Sequence, residues 1–214
     1  MDNSVWDWTL VDFRNQTASS APTPGGGAVA AVSGSLGLAL IVMALEISAR
    51  KKGTEKNTQD ISNLIISARE RLEELSKYAD EDILAFQSYM EALALPKETD
   101  EQKTTRKRAL AEAILKATQV PLSAAKTILD AIDLAERASV VCHIQIVSDI
   151  GAGTSILQGA ITAVLLNIDI NLPGIADKTL AASFAKDRAR MASAAKNKAK
   201  RILEKVSAIL AEGH

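Results

Sequence analysis

The chain has little of what usually anchors a functional reading. Of its 214 residues one is a cysteine and two are histidines. A lone Cys142 can form no intrachain disulfide, which excludes the cross-linked scaffolds of small secreted proteins. With only His143 and the terminal His214, no His-x-x-x-His or Glu-x-x-His pair falls on a helix, and no metal site is expected. Lysine and arginine number 25 against 26 aspartates and glutamates, so the formal net charge of −1 provides no long-range attraction to nucleic acid or an anionic membrane. A small anionic ligand is compatible with it. The stretch Met1-Asp2-Asn3-Ser4-Val5-Trp6 has neither the basic start nor the apolar run of a signal peptide, and the expected compartment is the cytoplasm. Aromatics make up 3% of the chain, and glycine and proline are sparse outside a few clusters, which favours helices over sheets.

What is present is apolar residue at helical spacing. Hydrophobic residues form 47% of the sequence, enough to bury one sizeable core, and a single all-α domain over residues 1–214 is expected. A short helix should start near Thr9 and stop before Ser19-Ser20-Ala21-Pro22-Thr23-Pro24-Gly25-Gly26-Gly27. From Ala28 the chain is uncharged until Glu46, then closes with Arg50, Lys51, Lys52 and Gly53, the basic residues and glycine that suit a helix C-terminus. A second uncharged run, Ile150 to Ile168, follows the N-cap types Ser148 and Asp149. Both runs are long enough to span a bilayer, but they are dominated by Gly, Ala and Ser and lack flanking aromatics. They read as two buried central helices of a bundle rather than membrane spans.

The remaining segments are amphipathic. Positions from Ile61 to Leu93 recur at three and four, predicting a long helix ended by Leu95-Pro96-Lys97. Thr99 and Gln102 have the spacing of a capping box that opens the next helix, with Pro121 expected to break or restart it. A last helix runs from about Asp177. Its Lys186, Arg188, Arg190, Lys196, Lys198, Lys200 and Arg201 lack interleaved aromatics and read as a solvated face rather than a nucleic-acid surface.

Four segments, taken in order, resemble the methenyltetrahydrofolate cyclohydrolase and formiminotetrahydrofolate cyclodeaminase family. They are Pro22-Thr23-Pro24-Gly25-Gly26-Gly27 before a small-residue helix, Asp82-Ile83-Leu84-Ala85-Phe86 followed by Leu95-Pro96-Lys97, Val120-Pro121-Leu122, and Ser148-Asp149-Ile150-Gly151 leading to Asn167 and Asn171. The family's usual lysine cluster reads Ala49-Arg50-Lys51-Lys52-Gly53 here, and Cys142-His143 stand where it tends to carry Gly-Asn. The resemblance implies an all-α dimeric enzyme acting on the one-carbon bridge of a tetrahydrofolate, without metal or redox cofactor. Because the sequence carries no formiminotransferase segment, methenyltetrahydrofolate hydrolysis is the narrower expectation, cyclodeamination the alternative, and a non-catalytic folate- or partner-binding bundle the second alternative.

Asp82 is the first catalytic candidate. It lies in the stripe Leu72, Leu75, Ala79, Asp82, Phe86, Met90 and Leu93, where an apolar residue belongs, and burial would raise its pKa toward neutrality. The stripe alone also fits an aspartate satisfied by a buried partner; the resemblance assigns it proton transfer. Asp149, with Ser148, reads first as a helix cap, and the resemblance adds that it faces the pocket. Pro24, Gly25, Gly26 and Gly27 suit a tight turn or an anion-holding helix start, and the resemblance makes them part of the folate site. Lys51 and Lys52 fit a helix C-terminus or folate carboxylates equally, with Lys97 and Arg106 as lesser candidates. Asn167 and Asn171 fit turn formation or hydrogen bonds to a pterin edge. Cys142 beside His143 is no nucleophile pair, because neighbouring helix positions point apart.

Overall fold

Six α-helices follow one another with short connections in a computed structural model that describes residues 4–212; Met1 to Asn3, Gly213 and His214 lie outside the described residues. They are α1 (Leu10–Thr17), α2 (Gly26–Ser48), α3 (Thr58–Ala94), α4 (Asp100–Val141), α5 (Val147–Asn171) and α6 (Lys178–Glu212), and no strand occurs among the described residues. The fold is an all-α bundle. Side-chain oxygens of the preceding residue start three of these helices: Thr9 accepts from the Asp12 amide, Thr99 and Gln102 form the reciprocal capping box that their spacing predicts, and Asp177 accepts from the Thr179 and Leu180 amides.

Small residues decide which helices lie closest. Gly37 of α2 crosses Gly153 of α5 so tightly that a Cβ on Gly153 would stand 2.5 Å from the Gly37 carbonyl oxygen. Only glycine permits that approach at Gly153. Gly26 lies beside Asn167 and Ser48 beside Cys142, so α2 and α5 run antiparallel over their lengths. α3 lies antiparallel to α2, with Arg69 paired to Glu46 at one end and Asp82 against Ala28 at the other. The core between them holds fully buried Leu38, Ile41, Leu45, Leu64, Ile128 and Leu157. Each contributes roughly 1.5–3 kcal/mol on burial, an upper range because the unfolded chain is itself partly collapsed.

Three local expectations change. α2 ends at Ser48, not at the lysines, and Gly53 with φ of 95° sits in the turn beyond it, where Thr54 donates to the carbonyls of Ser48 and Lys51. α5 is preceded by a 3-10 turn capped by His143, so Ser148 and Asp149 lie inside its first turn rather than at its cap. Pro121 neither breaks nor restarts α4, which is continuous through it. Proline at 121 has no N–H to give the carbonyl of Ala117, one turn back. Asn171 Nδ2 donates to that oxygen at 2.8 Å, so a side chain from α5 supplies the bond α4 cannot make.

α2 and α5 are both long and apolar enough to cross a membrane, by length and composition only. In α2, 67% of the apolar window is buried inside the bundle; in α5 the share is 33%. The uncovered side of α5 carries Ile156, Leu166 and Ile170, and Ile156 adjoins Gly37, so it continues onto Leu36, Met43 and Ile47 of α2. On α6, Arg188, Lys198 and Arg201 pair with Asp169, Asp133 and Glu136 of neighbouring helices. Those cations are committed to the bundle's own carboxylates.

Candidate active site

The glycine-rich entry to α2 packs directly onto Asp82 of α3. Asp82 Oδ2 accepts from the Ala28 amide at 2.9 Å, using one of the unpaired N–H groups of the first helical turn. A Cβ on Gly27 would lie 2.0 Å from Asp82 Oδ1, so glycine there is a condition for the carboxylate's position. Burial pushes the Asp82 carboxyl above its ordinary value of 3.8, and the Ala28 hydrogen bond only partly offsets that. The result is a carboxylate anchored through one oxygen and shifted toward the range in which it can both take and return a proton.

Asp82 lines a cavity of about 460 Å³, within the range of small-molecule sites. Phe86 and Tyr89 continue the Asp82 face of α3, Ile114 and Ala117 come from α4, and Asn167 and Ile170 come from the end of α5. Pro22, Thr23, Gly25 and Gly26 close the mouth. The lining is mostly apolar and aromatic with a few polar side chains, Asp82, Asn167 and Asn171 among them, an arrangement common to sites for small ring-bearing ligands.

The structure brings together Asp82, Gly25, Gly26, Asn167 and Asn171. Pro24 is buried behind the loop, and Gly27 is covered by the Asp82 carboxylate; neither lines the cavity. Asn171 reaches the cavity wall, but its amide nitrogen is engaged by Ala117. Lys51, Lys52, Ser148 and Asp149 stand at the other end of α2 and α5. Lys51 Nζ there donates to Gln145, and Asp149 lies near enough to Cys142 to help raise the thiol pKa, after burial as the main cause. The 23 residues of α2 set that end about 30 Å from Asp82 within one chain. Antiparallel packing is the reason: the family-like segments flank the same two helices but at opposite ends.

Phe86, Tyr89, Ile114 and Ile170 are pocket residues that the pattern reading placed in the core or left unassigned. Phe86 and Tyr89 recur at core spacing, and a period reports the inward face of a helix, not whether a neighbour or a cavity lies opposite. No signal in the spacing set them apart; the structure shows that the outer end of the stripe is not buried, Met90 and Leu93 being 45% and 41% exposed. Cys142 is a half-buried thiol, 3.2 Å from Ser48 Oγ, and has no part in the cavity.

Fold and pocket together describe a helical-bundle protein with a largely buried carboxylate at the wall of a ligand-sized cavity. Residues 9–190 match the model of the formiminotransferase-cyclodeaminase family, and the chain belongs to that family. It is 33% identical over 180 residues to a methenyltetrahydrofolate cyclohydrolase of Methylorubrum extorquens, covering 84% of this chain and 85% of that one. It is 32% identical over 170 residues to the formimidoyltransferase-cyclodeaminase of Gallus gallus, covering 78% of this chain but 31% of that longer protein. The crystal structure of formiminotetrahydrofolate cyclodeaminase from Thermotoga maritima shares the fold, with a TM-score of 0.80, 98% coverage of both chains and 24% identity. These relatives are enzymes, and so is this family.

Proposed function

We propose that this chain hydrolyses 5,10-methenyltetrahydrofolate to 10-formyltetrahydrofolate, with Asp82 as the proton-transferring group. The observation that carries the reading is a buried carboxylate, held by the Ala28 amide and raised in pKa, at the wall of a ligand-sized cavity. Water attacks the methenyl carbon while the Asp82 carboxylate accepts its proton. The protonated carboxyl then gives that proton to the departing N5 as the N5–carbon bond breaks, and the carbinol hydroxyl releases its remaining proton to solvent to become the formyl C=O on N10. One carboxylate serves both steps, and the chemistry calls for neither metal nor redox cofactor. The 33% identity to the Methylorubrum extorquens cyclohydrolase over most of both chains favours this direction. The 32% identity to the Gallus gallus protein supports cyclodeamination as the second reading, in which N10 attacks the formimino carbon and Asp82 protonates the leaving ammonia.

The apolar side of α5 and α2 supports a homodimer as part of the proposal, with the cytoplasm as the compartment. A two-fold axis across the middle of that face exchanges its ends, so Lys51, Lys52, Ser148 and Asp149 of one copy approach the Asp82 pocket of the other. On this reading Asp149 and the two lysines act across the interface, the lysines on folate carboxylates.

The purified protein is given methenyltetrahydrofolate and, separately, formiminotetrahydrofolate, and the methenyl absorbance is followed against the spontaneous rate. Accelerated loss with the first establishes the cyclohydrolase. A gain with ammonia release from the second establishes the cyclodeaminase, and binding without turnover leaves a folate-binding bundle. Asp82→Asn should lower turnover by roughly 10²–10⁴-fold; near-normal turnover moves the proton transfer elsewhere.

A further inference from the structure

We propose that Asp80 is a positioning residue for Asp82: it ties the N-terminal segment across α2 and α3 and so keeps the Ala28 amide on the Asp82 carboxylate. The inference rests on Asp82 as the proton-transferring group and adds the device that holds that group in place. Asp80 and Asp82 are two residues apart on one helix, about 200° around its axis, so they face different neighbours. Asp80 Oδ2 accepts from the Ser4 hydroxyl at 2.6 Å, and Oδ1 accepts from the Val5 amide at 2.9 Å. Ser4 Oγ also accepts from the Trp6 amide, and the Trp6 indole donates at 2.9 Å to the Ser76 carbonyl, one turn earlier on α3. Both Asp80 oxygens are thus engaged by the N-terminal segment, and Asp80 does not line the cavity.

What these bonds hold down is Val5. It is buried with Ala31 of α2 and Ala79 of α3 in a small apolar cluster apart from the main core, flanked by Trp8, Phe13 and Ile83. Ala28 and Ala31 lie one turn apart on α2, Asp82 and Ala79 one turn apart on α3, and the two helices run antiparallel. The contact of Ala28 with Asp82 and that of Ala31 with Ala79 are therefore successive layers of one seam, about 4.5 Å apart. The far end of the segment is tied as well, because Gln16 Nε2 donates at 3.3 Å to the carbonyl of Thr23, in the loop that closes the cavity mouth. α1 between them buries no residue, so the segment is fixed at its two ends and Asp80 makes the end nearer Asp82. Hydrogen bonds to an ionised carboxylate are among the stronger ones, which suits Asp80 to that task. Releasing Val5 lets the first turn of α2 lift from α3. The Ala28 amide then leaves Asp82, and the bond that partly offsets the effect of burial on the Asp82 pKa goes with it.

The test follows kcat/KM for methenyltetrahydrofolate against pH and, separately, titrates the Asp82 carboxyl by carbon-13 NMR, which needs no turnover. As a base Asp82 works ionised, so the acid limb of the profile reports its pKa in the free enzyme. α2 presents Gly27 and Ala28 to Asp82, and α4 and α5 bring Ile114, Ala117 and Asn167 to the same cavity, none of them charged. The titratable groups nearby on its own helix are Asp80, Glu81 and Tyr89. Lys51, Lys52 and Asp149 of a second copy, where the proposed dimer brings them, are the same in every variant. Asp80→Ala should raise both midpoints by about one pH unit, through loss of a hydrogen bond to a charged group, and lower kcat by about 10- to 10²-fold. Loss of the Asp80 charge by itself would lower the midpoints, so the sign separates the two effects. Asp80→Asn keeps an acceptor for the Val5 amide and can exchange donor and acceptor with the Ser4 hydroxyl, so it should restore parental behaviour. Ser4→Ala removes one of the two bonds and should shift the midpoints the same way by less; it carries the test if Asp80→Ala does not fold. Unchanged midpoints in Asp80→Ala and Ser4→Ala, with or without loss of activity, overturn the proposal, and so does an upward shift as large in Asp80→Asn as in Asp80→Ala. A shifted Asp82 titration in a protein that turns over no folate supports the positioning role and sinks the catalytic reading instead.

Discussion

The bond from Asn171 to the Ala117 carbonyl makes a sharp prediction, because its partner exists only through Pro121. Removing the amide by Asn171→Ala leaves a partly buried backbone oxygen with neither its helical donor nor its substitute. The net loss of such a bond is about 0.5–1.5 kcal/mol, and an acceptor left unsatisfied raises the cost to about 1–3 kcal/mol. In a Pro121→Ala background the backbone regains an N–H four residues after Ala117, α4 can close its own hydrogen bond, and Asn171→Ala should cost less than about 0.5 kcal/mol. The coupling energy of the cycle is then about 1 kcal/mol or more. Urea denaturation at one fixed protein concentration reads it as a shift in midpoint with unchanged slope. Ala117 and Asn171 both line the pocket, so KM should rise in the single variant and recover in the double. Additive midpoints would refute the substitution of one donor for the other.

Gly27→Ala should act as an indirect Asp82 variant. Its Cβ needs the space of the carboxylate, so turnover should fall by about 10²-fold or more with a stability loss of about 1–3 kcal/mol. Gly26→Ala, whose Cβ would meet Asn167 only at 3.7 Å, should fold at least as stably as the parent; equal stability of the two variants in denaturation would contradict the packing described. Asp82→Asn should stabilise the protein while disabling it. The native pKa lies above the unfolded 3.8, so wild-type Asp82 contributes stability that is full below 3.8 and lost as pH rises through the raised value. The neutral amide does not titrate and can still accept from Ala28. Its advantage should be present at pH 7 and vanish below about pH 3.8; a pH-independent difference in urea midpoint would rule out burial as the origin of the shift.

Much of this protein is legible without coordinates because local rules decide it. The Thr99 to Gln102 capping box, the start of α1 at Thr9 and the long amphipathic α3 appear where spacing and cap chemistry put them. Asp82 was also visible, as a carboxylate in an apolar stripe. The failures share one cause. The lysines after Ser48 looked like a helix C-terminus and Pro121 like a break, because in isolation each would be; a turn held by Thr54 and a donor from Asn171 override them.

The sequence by itself determined the helices, the closeness of α2 to α5 and the one carboxylate out of place on α3, since these follow from period, residue size and polarity along the chain. The tertiary structure alone decided which candidates share a site. Antiparallel packing sends the ends of one helix to different partners, so Gly27 and Asn167 converge on Asp82 while Lys51 and Asp149 go to the far end. That choice depends on helix direction in space, which no spacing within a segment records.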